Sequence, residues 1–184
     1  MVIGLQEETT VTIEREINWV ILAVFAATYA AITIIIAPIA FLATQVRISD
    51  AMLMIPFHKK YGKEAVIGLT LGGFFANLVS PLGIIDWVFG PITNFLVALV
   101  VYIIGVISRN KPFNVRIIFA ILAAVIGSVI IGILIGYELY LLGFATFIVG
   151  FIGVLIGSVI SVGVGGVALI SMMLRAIPEE EKCY

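Results

Sequence analysis

The sequence predicts an all-α membrane protein folded as a six-helix transmembrane bundle with a short second helix. Composition is the first observation: of 184 residues, 62% are apolar and only 11% are charged, whereas a soluble domain carries about 25% charged residues. The mean hydropathy of +1.26 agrees with this. The second observation is that several apolar runs exceed the roughly 18 residues that indicate a membrane-spanning helix. We therefore expect a multi-pass protein of the cell membrane, in contact with the lipid bilayer.

Several function classes are disfavoured by the chemistry that the sequence lacks. The single cysteine, Cys183, lies in the tail and forms neither a disulfide framework nor a thiolate metal site. The single histidine, His58, has no spaced partner with which to hold a metal. There is no nucleophile-elbow, phosphate-loop or zinc-protease motif and no ATPase domain. We expect no enzyme activity, no cofactor, no metal and no nucleic-acid partner, and an intramembrane enzyme is the weakest alternative.

The first predicted helix follows a polar segment, residues 1–16, that lacks the basic start and apolar core of a cleaved signal peptide. The apolar run covers residues 17 to about 36. On it, Ala23, Ala27 and Ala31 recur at a spacing of four, which places them on one helix face. Small residues at this spacing let two helix backbones approach closely. This face therefore either packs inside the bundle or docks another subunit.

The second helix is expected to be short. Residues 37–48 form an apolar connector that carries Arg47. Ser49 and Asp50 then stand where an N-cap would precede the apolar run 51–57. These two side chains either only cap the helix or have a second role as well.

The remaining segments alternate between turns and apolar runs. In chain order they are a basic turn 58–63, a run 65–79 with Asn77 near its end, a turn 80–83, a span 84–107 that opens with Asp86 and Trp87, a basic turn 108–112, a span 113–135, a connector 136–140 and a last run 141–176. The last run exceeds about 25 residues, so it must tilt, kink or begin with a buried loop. A single membrane domain thus covers residues 17–176, and residues 177–184 form a cytoplasmic tail.

The distribution of basic residues favours a bundle with both termini in the cytoplasm. If the short second helix crosses the bilayer, only Arg47 lies on the outer side. The nine basic residues on the other side are Arg15, Lys59, Lys60, Lys63, Arg109, Lys111, Arg116, Arg175 and Lys182. Such a bias marks the cytoplasmic side. A five-span chain also gives nine against one, with Arg15 as the exception, so the charge rule does not choose; we prefer six spans.

The six-span topology gathers polar groups at the outer ends of the helices. Three carboxylates, Asp50, Asp86 and Glu138, begin or join helices there, whereas the other eight Asp and Glu lie in the tails or the cytoplasmic turns. The same level holds Arg47, Ser49, Asn77, Ser80, Trp87, Tyr137 and Tyr140. Such residues either form a solvated rim or line a pocket. Three carboxylates converging with an Arg, an Asn and a Trp favour an outer-end ligand pocket, apolar with a few placed polar groups.

Three stretches of the sequence resemble the QueT family. They are Arg47-Ile-Ser-Asp-Ala-Met-Leu-Met-Ile-Pro56, Ala65-Val-Ile-Gly-Leu-Thr-Leu-Gly-Gly-Phe-Phe-Ala-Asn77 and Pro81-Leu-Gly-Ile-Ile-Asp-Trp-Val-Phe-Gly90. The resemblance rests on motifs over roughly residues 20–105 and on hydropathy elsewhere. The chain departs from the family pattern at two positions, with Asp50 where Glu is expected and Gly73 where Cys is expected.

The resemblance implies a substrate-binding (S) component of an energy-coupling factor (ECF) transporter for a queuosine precursor, a 7-deazaguanine. It implies an outer-end ligand pocket and an alanine-rich first helix that docks the transmembrane coupling subunit, while two partner ATPases supply the energy. The alternatives are an S component for another vitamin or nucleobase, and a membrane scaffold. The residues expected to bind the substrate are Asp86, Glu138, Asp50, Asn77, Trp87, Arg47 and Tyr137, and those expected to dock the partner are Ala23, Ala27 and Ala31.

The six-span topology predicts that a cysteine introduced as Leu5→Cys is protected from a membrane-impermeant thiol reagent added to intact cells. The reason is that the N-terminal segment lies on the same side as the basic turns. The assay uses a background with Cys183→Ser, and Ser80→Cys in the predicted outer turn is the positive control. Labelling of position 5 to the same extent as position 80 would contradict this topology.

Overall fold

The computed structural model describes residues 16–36 and 47–179, which contain six helices joined by turns. They are α1 (Trp19–Ile35), α2 (Ile48–Phe57), α3 (Gly62–Asn77), α4 (Ile84–Ser108), α5 (Phe113–Leu141) and α6 (Phe147–Ala176). Three of them, α4, α5 and α6, are long and apolar enough to cross a membrane, and α1 and α2 are shorter apolar helices. The predicted all-α bundle with a short second helix is confirmed. The polar N-terminal segment, most of the connector 37–48 and the end of the tail lie outside the described residues.

Helices α1 and α3 pack against each other at very short range because α3 carries glycines at the contact. A Cβ atom at Gly68 would lie 2.7 Å from the carbonyl oxygen of Leu22, and one at Gly72 would lie 2.8 Å from that of Ala26. One turn earlier, the backbone N–H of Asn18 donates to the side chain of Glu64. Close approach of this kind replaces the hydrophobic driving force that is missing between helices in lipid.

These contacts show that α1 and α3 run parallel. The pairs Asn18–Glu64, Leu22–Gly68 and Ala26–Gly72 advance in the same direction along both helices. The chain must therefore return to its starting end between them, and α2 lies on that return path. This arrangement favours six passes over five, a choice that the charge distribution left open.

Helix α2 is a ten-residue 3-10 helix, which rises about 2.0 Å per residue instead of 1.5 Å, so it covers about 20 Å of this path; the side chain of Arg47 extends it towards the start of α4. At its start, the side chain of Arg47 reaches Asp86 in the first turn of α4. Its end, Phe57, lies against Gly105 near the other end of α4, where a Cβ would come within 2.6 Å of the Phe57 carbonyl oxygen. Along α4, Asp86 and Gly105 are about 28 Å apart at 1.5 Å per residue. This is close to the thickness of a bilayer's hydrocarbon core.

The predicted connector at residues 136–140 is wrong, because α5 continues through it to Leu141. Gly136 is a packing position: a Cβ there would lie 2.7 Å from the backbone nitrogen of Phe151 in α6. The chain turns instead at Gly143, whose φ of 74° favours glycine. The last apolar run thus begins with this turn, and α6 contains a π-helical stretch, Val159–Gly166.

The C-terminal tail is tied to the turn after α2 by a partly buried polar cluster. Arg116 donates two hydrogen bonds to the carboxylate of Glu179, at 2.6 and 3.0 Å, and its guanidinium lies over the ring of Phe57. The backbone N–H of Lys59 donates to the same carboxylate. His58 is fully buried, and its Nδ1 accepts from the Lys60 N–H, so Nε2 carries the proton that is shared with the Ile177 carbonyl.

The pKa values in this cluster follow from burial and from the partners. Burial lowers the pKa of His58, more than the carboxylate of Glu179 raises it. Burial alone would raise the pKa of Glu179, but the hydrogen bonds from Arg116 and Lys59 outweigh it and hold this pKa below its usual range. At neutral pH the cluster therefore contains a neutral imidazole and an ionised carboxylate.

Glu179→Gln is expected to lower the free energy of unfolding by about 1–3 kcal/mol at pH 7, because the two charge-assisted bonds from Arg116 are lost. A carboxylate with a lowered pKa stabilises the fold above its unfolded pKa of about 4.3, and this contribution disappears as the pH falls through the folded pKa. Thermal unfolding in detergent across pH 3–7 measures both effects. The matched control is Glu16→Gln, whose side chain is exposed. Equal stability of the two variants at pH 7 would show that the Arg116–Glu179 hydrogen bonds do not stabilise the fold.

Candidate ligand-binding site

Four helix ends bring a cluster of polar side chains together inside the bundle. Arg47 immediately precedes α2, Asn77 ends α3, Asp86 lies in the first turn of α4 and Glu138 lies in the last turn of α5. Arg47 is 6% exposed and the other three side chains are fully buried. Burying this many charged groups costs free energy unless each is compensated, so the cluster needs a functional explanation.

Asn77 and Asp86 form the fixed part of the cluster. The amide Nδ2 of Asn77 donates to both the backbone oxygen and Oδ1 of Asp86, each at 3.1 Å. Gly90, one turn further along α4, makes room for this amide, since a Cβ at Gly90 would overlap Asn77 Nδ2. Any larger residue at position 90 would therefore displace Asn77 from Asp86.

Arg47 supplies the positive charge of the cluster. Its Nη2 lies 3.8 Å from Asp86 Oδ1, and its Nη1 donates to Asn77 Oδ1 at 3.4 Å. Glu138 lies close enough to interact with Asp86 and with Arg47. However, among the residues that the structure describes, no donor reaches either oxygen of Glu138 or Oδ2 of Asp86 in hydrogen-bond geometry. The cluster thus has buried acceptors to spare.

Asp50 belongs to a second polar layer, which is anchored to α1. Its Oδ1 accepts a 2.6 Å hydrogen bond from the Tyr29 hydroxyl, which also lies 3.3 Å from Asn94 Oδ1. The hydroxyls of Thr33 and Ser49 are 2.6 Å apart. Asn94 is eight residues after Asp86 on α4, so this layer is about 12 Å deeper in the bundle.

The expectation that Ser49 or Asp50 caps the second helix is wrong. Helix α2 begins at Ile48, its N-cap is Arg47, and no side chain makes a capping hydrogen bond there. Ser49 and Asp50 are inside the first turn, and both are buried against α1. Their hydrogen bonds therefore fix α2 to α1 rather than closing the helix end.

A small cavity separates the two layers. Its volume is about 10 Å³, enough for about one water molecule. It is lined by Arg47, Asp50, Gly90, Thr93, Asn94, Ile131, Ile135 and Val154. Ligand pockets usually measure about 300 Å³ or more, so a ring-sized ligand enters this space only if a side chain moves out.

A larger cavity, about 280 Å³, opens beside the cluster at the same end of the bundle. It is lined by Pro81, Leu82, Leu139, Phe144, Ala145, Val149 and Gly150. Leu139 follows Glu138 directly in α5, which places this cavity at the level of the polar cluster. No charged side chain lines the larger one, and it supplies apolar surface without the means to orient a polar ligand.

The two aromatic residues predicted for the site occupy different surroundings. Trp87 is partly buried, and its indole N–H is buried without an acceptor in the described ranges. Tyr137 is 45% exposed and lies beside Phe89 and Tyr140 on the outside of the bundle. The structure therefore gathers Arg47, Asn77, Asp86 and Glu138, and it leaves Tyr137 outside.

The predicted docking residues lie on the outer face of α1. Ala23, Ala27 and Ala31 are exposed, whereas Ala26 and Ala30, on the adjacent face, are buried. A shallow groove runs along this surface, and its other wall is formed by Leu71 and Phe75 of α3. No described residue covers the three exposed alanines.

Sequence reasoning missed Tyr29, Thr93 and Asn94, which hold or line the deeper layer. A signal was present, because polar side chains in the middle of an apolar span usually face the bundle interior. Tyr29 and Asn94 also show why the signal was incomplete: their partnership depends on the rotation of α1 and α4, which hydropathy does not specify.

Comparison with known proteins identifies a transporter family. A family model described as QueT transporter matches residues 19–175 of this chain. No curated protein and no solved structure gives a significant match. The matched region runs from the first residue of α1 to the next-to-last residue of α6 and contains every residue of the polar cluster.

Proposed function

Because the chain belongs to the QueT transporter family, we propose that it is the substrate-binding (S) component of an ECF-type importer for a queuosine precursor of the 7-deazaguanine class. The family makes it a transporter's substrate-binding component in the membrane rather than an enzyme. The observation that best supports the proposal is the buried cluster of Asp86, Glu138 and Asn77, whose spare acceptors lie inside an otherwise apolar bundle.

The chemistry of a 7-deazaguanine complements these acceptors. One edge of its ring offers an N–H and an exocyclic amine, which a single carboxylate accepts as a pair. The ring is aromatic, and Trp87, which is partly buried and follows Asp86 in α4, is the predicted stacking partner. An aminomethyl arm is cationic and pairs with a second carboxylate, whereas a nitrile arm does not need one. Two neighbouring acids, Asp86 and Glu138, therefore favour the aminomethyl precursor.

The proposed partners are a transmembrane coupling subunit and two ATPase subunits. The exposed face of Ala23, Ala27 and Ala31 on α1 suits the coupling subunit, since small side chains permit close helix approach. In this arrangement the S component tilts in the membrane and releases its ligand on the cytoplasmic side. Both termini are then cytoplasmic, on the side of the basic turns.

A different vitamin or nucleobase is the competing substrate. The discriminating measurement is mass spectrometry of the small molecule that remains bound to the detergent-purified protein. A 7-deazaguanine in that material supports the proposal, and any other heterocycle would be the substrate instead. A protein that never carries or binds a small molecule would favour a scaffold role.

Asp86→Asn and Glu138→Gln are each expected to weaken deazaguanine binding by roughly 30- to 1000-fold. The amide keeps the shape but presents a donor to ligand donors in a dry site, which costs about 2–4 kcal/mol. Asp50→Asn should lose less affinity and more stability, because Asp50 accepts a hydrogen bond from Tyr29. Calorimetry on these variants, with exposed Glu16→Gln as the control, measures the difference. Unchanged affinity in all three variants would show that the ligand binds at another place in the protein.

Ala27→Leu is expected to reduce co-purification with the coupling subunit by about tenfold or more and to leave ligand affinity within about twofold. The leucine side chain prevents close approach of a partner helix to α1. Ala168→Leu in α6 makes the same change at another exposed alanine and is the matched control. Equal co-purification of the two variants would show that the partner docks on another surface.

A further inference from the structure

The charge balance of the site is unusual for a closed interior. Asp50, Asp86 and Glu138 are all buried, and Arg47 is the cation that lies among them. A buried carboxylate without a counter-charge or donors is costly. Oδ2 of Asp86 and both oxygens of Glu138 are acceptors for which the described side chains supply no donor, so the site has room for more N–H donors than Arg47 gives it.

Arg47 also occupies the space that a ligand would need. Its side chain lines the cavity of about 10 Å³ and reaches across it to Asp86 and Asn77. It is 6% exposed, which is low for the longest cationic side chain. Arg47 lines this cavity and Asp86 does not, so a planar ring placed in it contacts Asp86 only after the guanidinium has moved.

The guanidinium has the shape of the ligand edge that the site is proposed to read. A guanidinium is a planar carbon bonded to nitrogens that carry N–H donors, arranged as a fork that matches a carboxylate. A 2-amino-4-oxo-pyrimidine ring, as in a deazaguanine, carries the same fork, with a ring N–H and an amine on one carbon. One carboxylate can accept two hydrogen bonds from either group.

We propose that Arg47 is a built-in occupant of the ligand position: its guanidinium holds Asp86 and Asn77 in the unliganded protein, and the amidine-like fork of the ligand displaces it. The identity of the ligand rests on the proposed function, but the occupancy of the site by Arg47 does not. A molecule that lacks the fork displaces Arg47 without replacing its ion pair with Asp86 and its hydrogen bond to Asn77, so it leaves buried acceptors unsatisfied. Arg47 thereby acts as a specificity-determining residue through competition.

The first test removes the occupant and returns it as a separate molecule. Arg47→Ala is expected to gain a binding site for ethylguanidinium, detected at millimolar concentration as a rise of about 2–4 °C in the melting temperature. The parent protein should show no such rise, because its site is filled. Propylammonium, which has the charge without the fork, should stabilise the variant less. Adding Asp86→Asn to Arg47→Ala should abolish the effect.

The second test measures ligand affinity. If Arg47 competes with the ligand, the apparent affinity is reduced by the fraction of molecules in which Arg47 has left the site. Arg47→Ala and Arg47→Gln should then bind an aminomethyl-deazaguanine about tenfold or more tightly than the parent. The gain should be smaller for the nitrile precursor, which does not replace the lost positive charge. Weaker binding by both variants would make Arg47 a ligand contact and overturn the proposal.

The outcomes separate this inference from the proposed function. Stabilisation of Arg47→Ala by ethylguanidinium that depends on Asp86 supports the occupant role even if no deazaguanine binds to any form. If Arg47→Ala folds only when ethylguanidinium is present, that rescue also supports the occupant role. No response of Arg47→Ala and Arg47→Gln to ethylguanidinium overturns the occupant role, whatever the substrate is.

Discussion

The close parallel packing of α1 on α3 is the constraint from which the rest of the structure follows. Because Gly68 and Gly72 bring the two backbones into contact in the same direction, the short segment between them must return across the bundle. That return path is α2, and it carries Arg47 to one end and His58 to the other. The candidate site and the polar cluster around Glu179 are thus two consequences of one helix pair.

The sequence predicted the polar cluster because the ends of helices that cross a membrane share a level. Asn77, Asp86 and Glu138 were placed together by counting spans alone, and the structure buries all three. The same counting failed at residues 136–140, where a Gly-Tyr-Glu-Leu-Tyr pattern resembles a turn. Gly136 is small because α6 lies against it, and a single sequence does not distinguish a glycine that packs from a glycine that turns.

The pairing of side chains in the deeper layer could not be predicted for a related reason. Asp50 at a helix start looks like a cap, and a cap needs only local sequence. Its actual partner, Tyr29, is 21 residues away on a helix whose rotation is fixed by the α1–α3 contact. The identity of a hydrogen-bond partner across a bundle is a tertiary fact, so the chemistry of these residues was visible in the sequence while their pairing was not.

Helix α2 is stabilised mainly by its surroundings. A 3-10 helix of ten residues has poorer hydrogen-bond geometry than an α-helix and is seldom this long. Pro56 removes one more donor from it. Eight of the ten side chains are buried, so contacts with neighbouring helices hold it in place. A helix that is held by its neighbours is sensitive to the loss of one contact. Arg47 adjoins the first turn of α2, and a bound ligand would replace its contacts with Asp86 and Asn77.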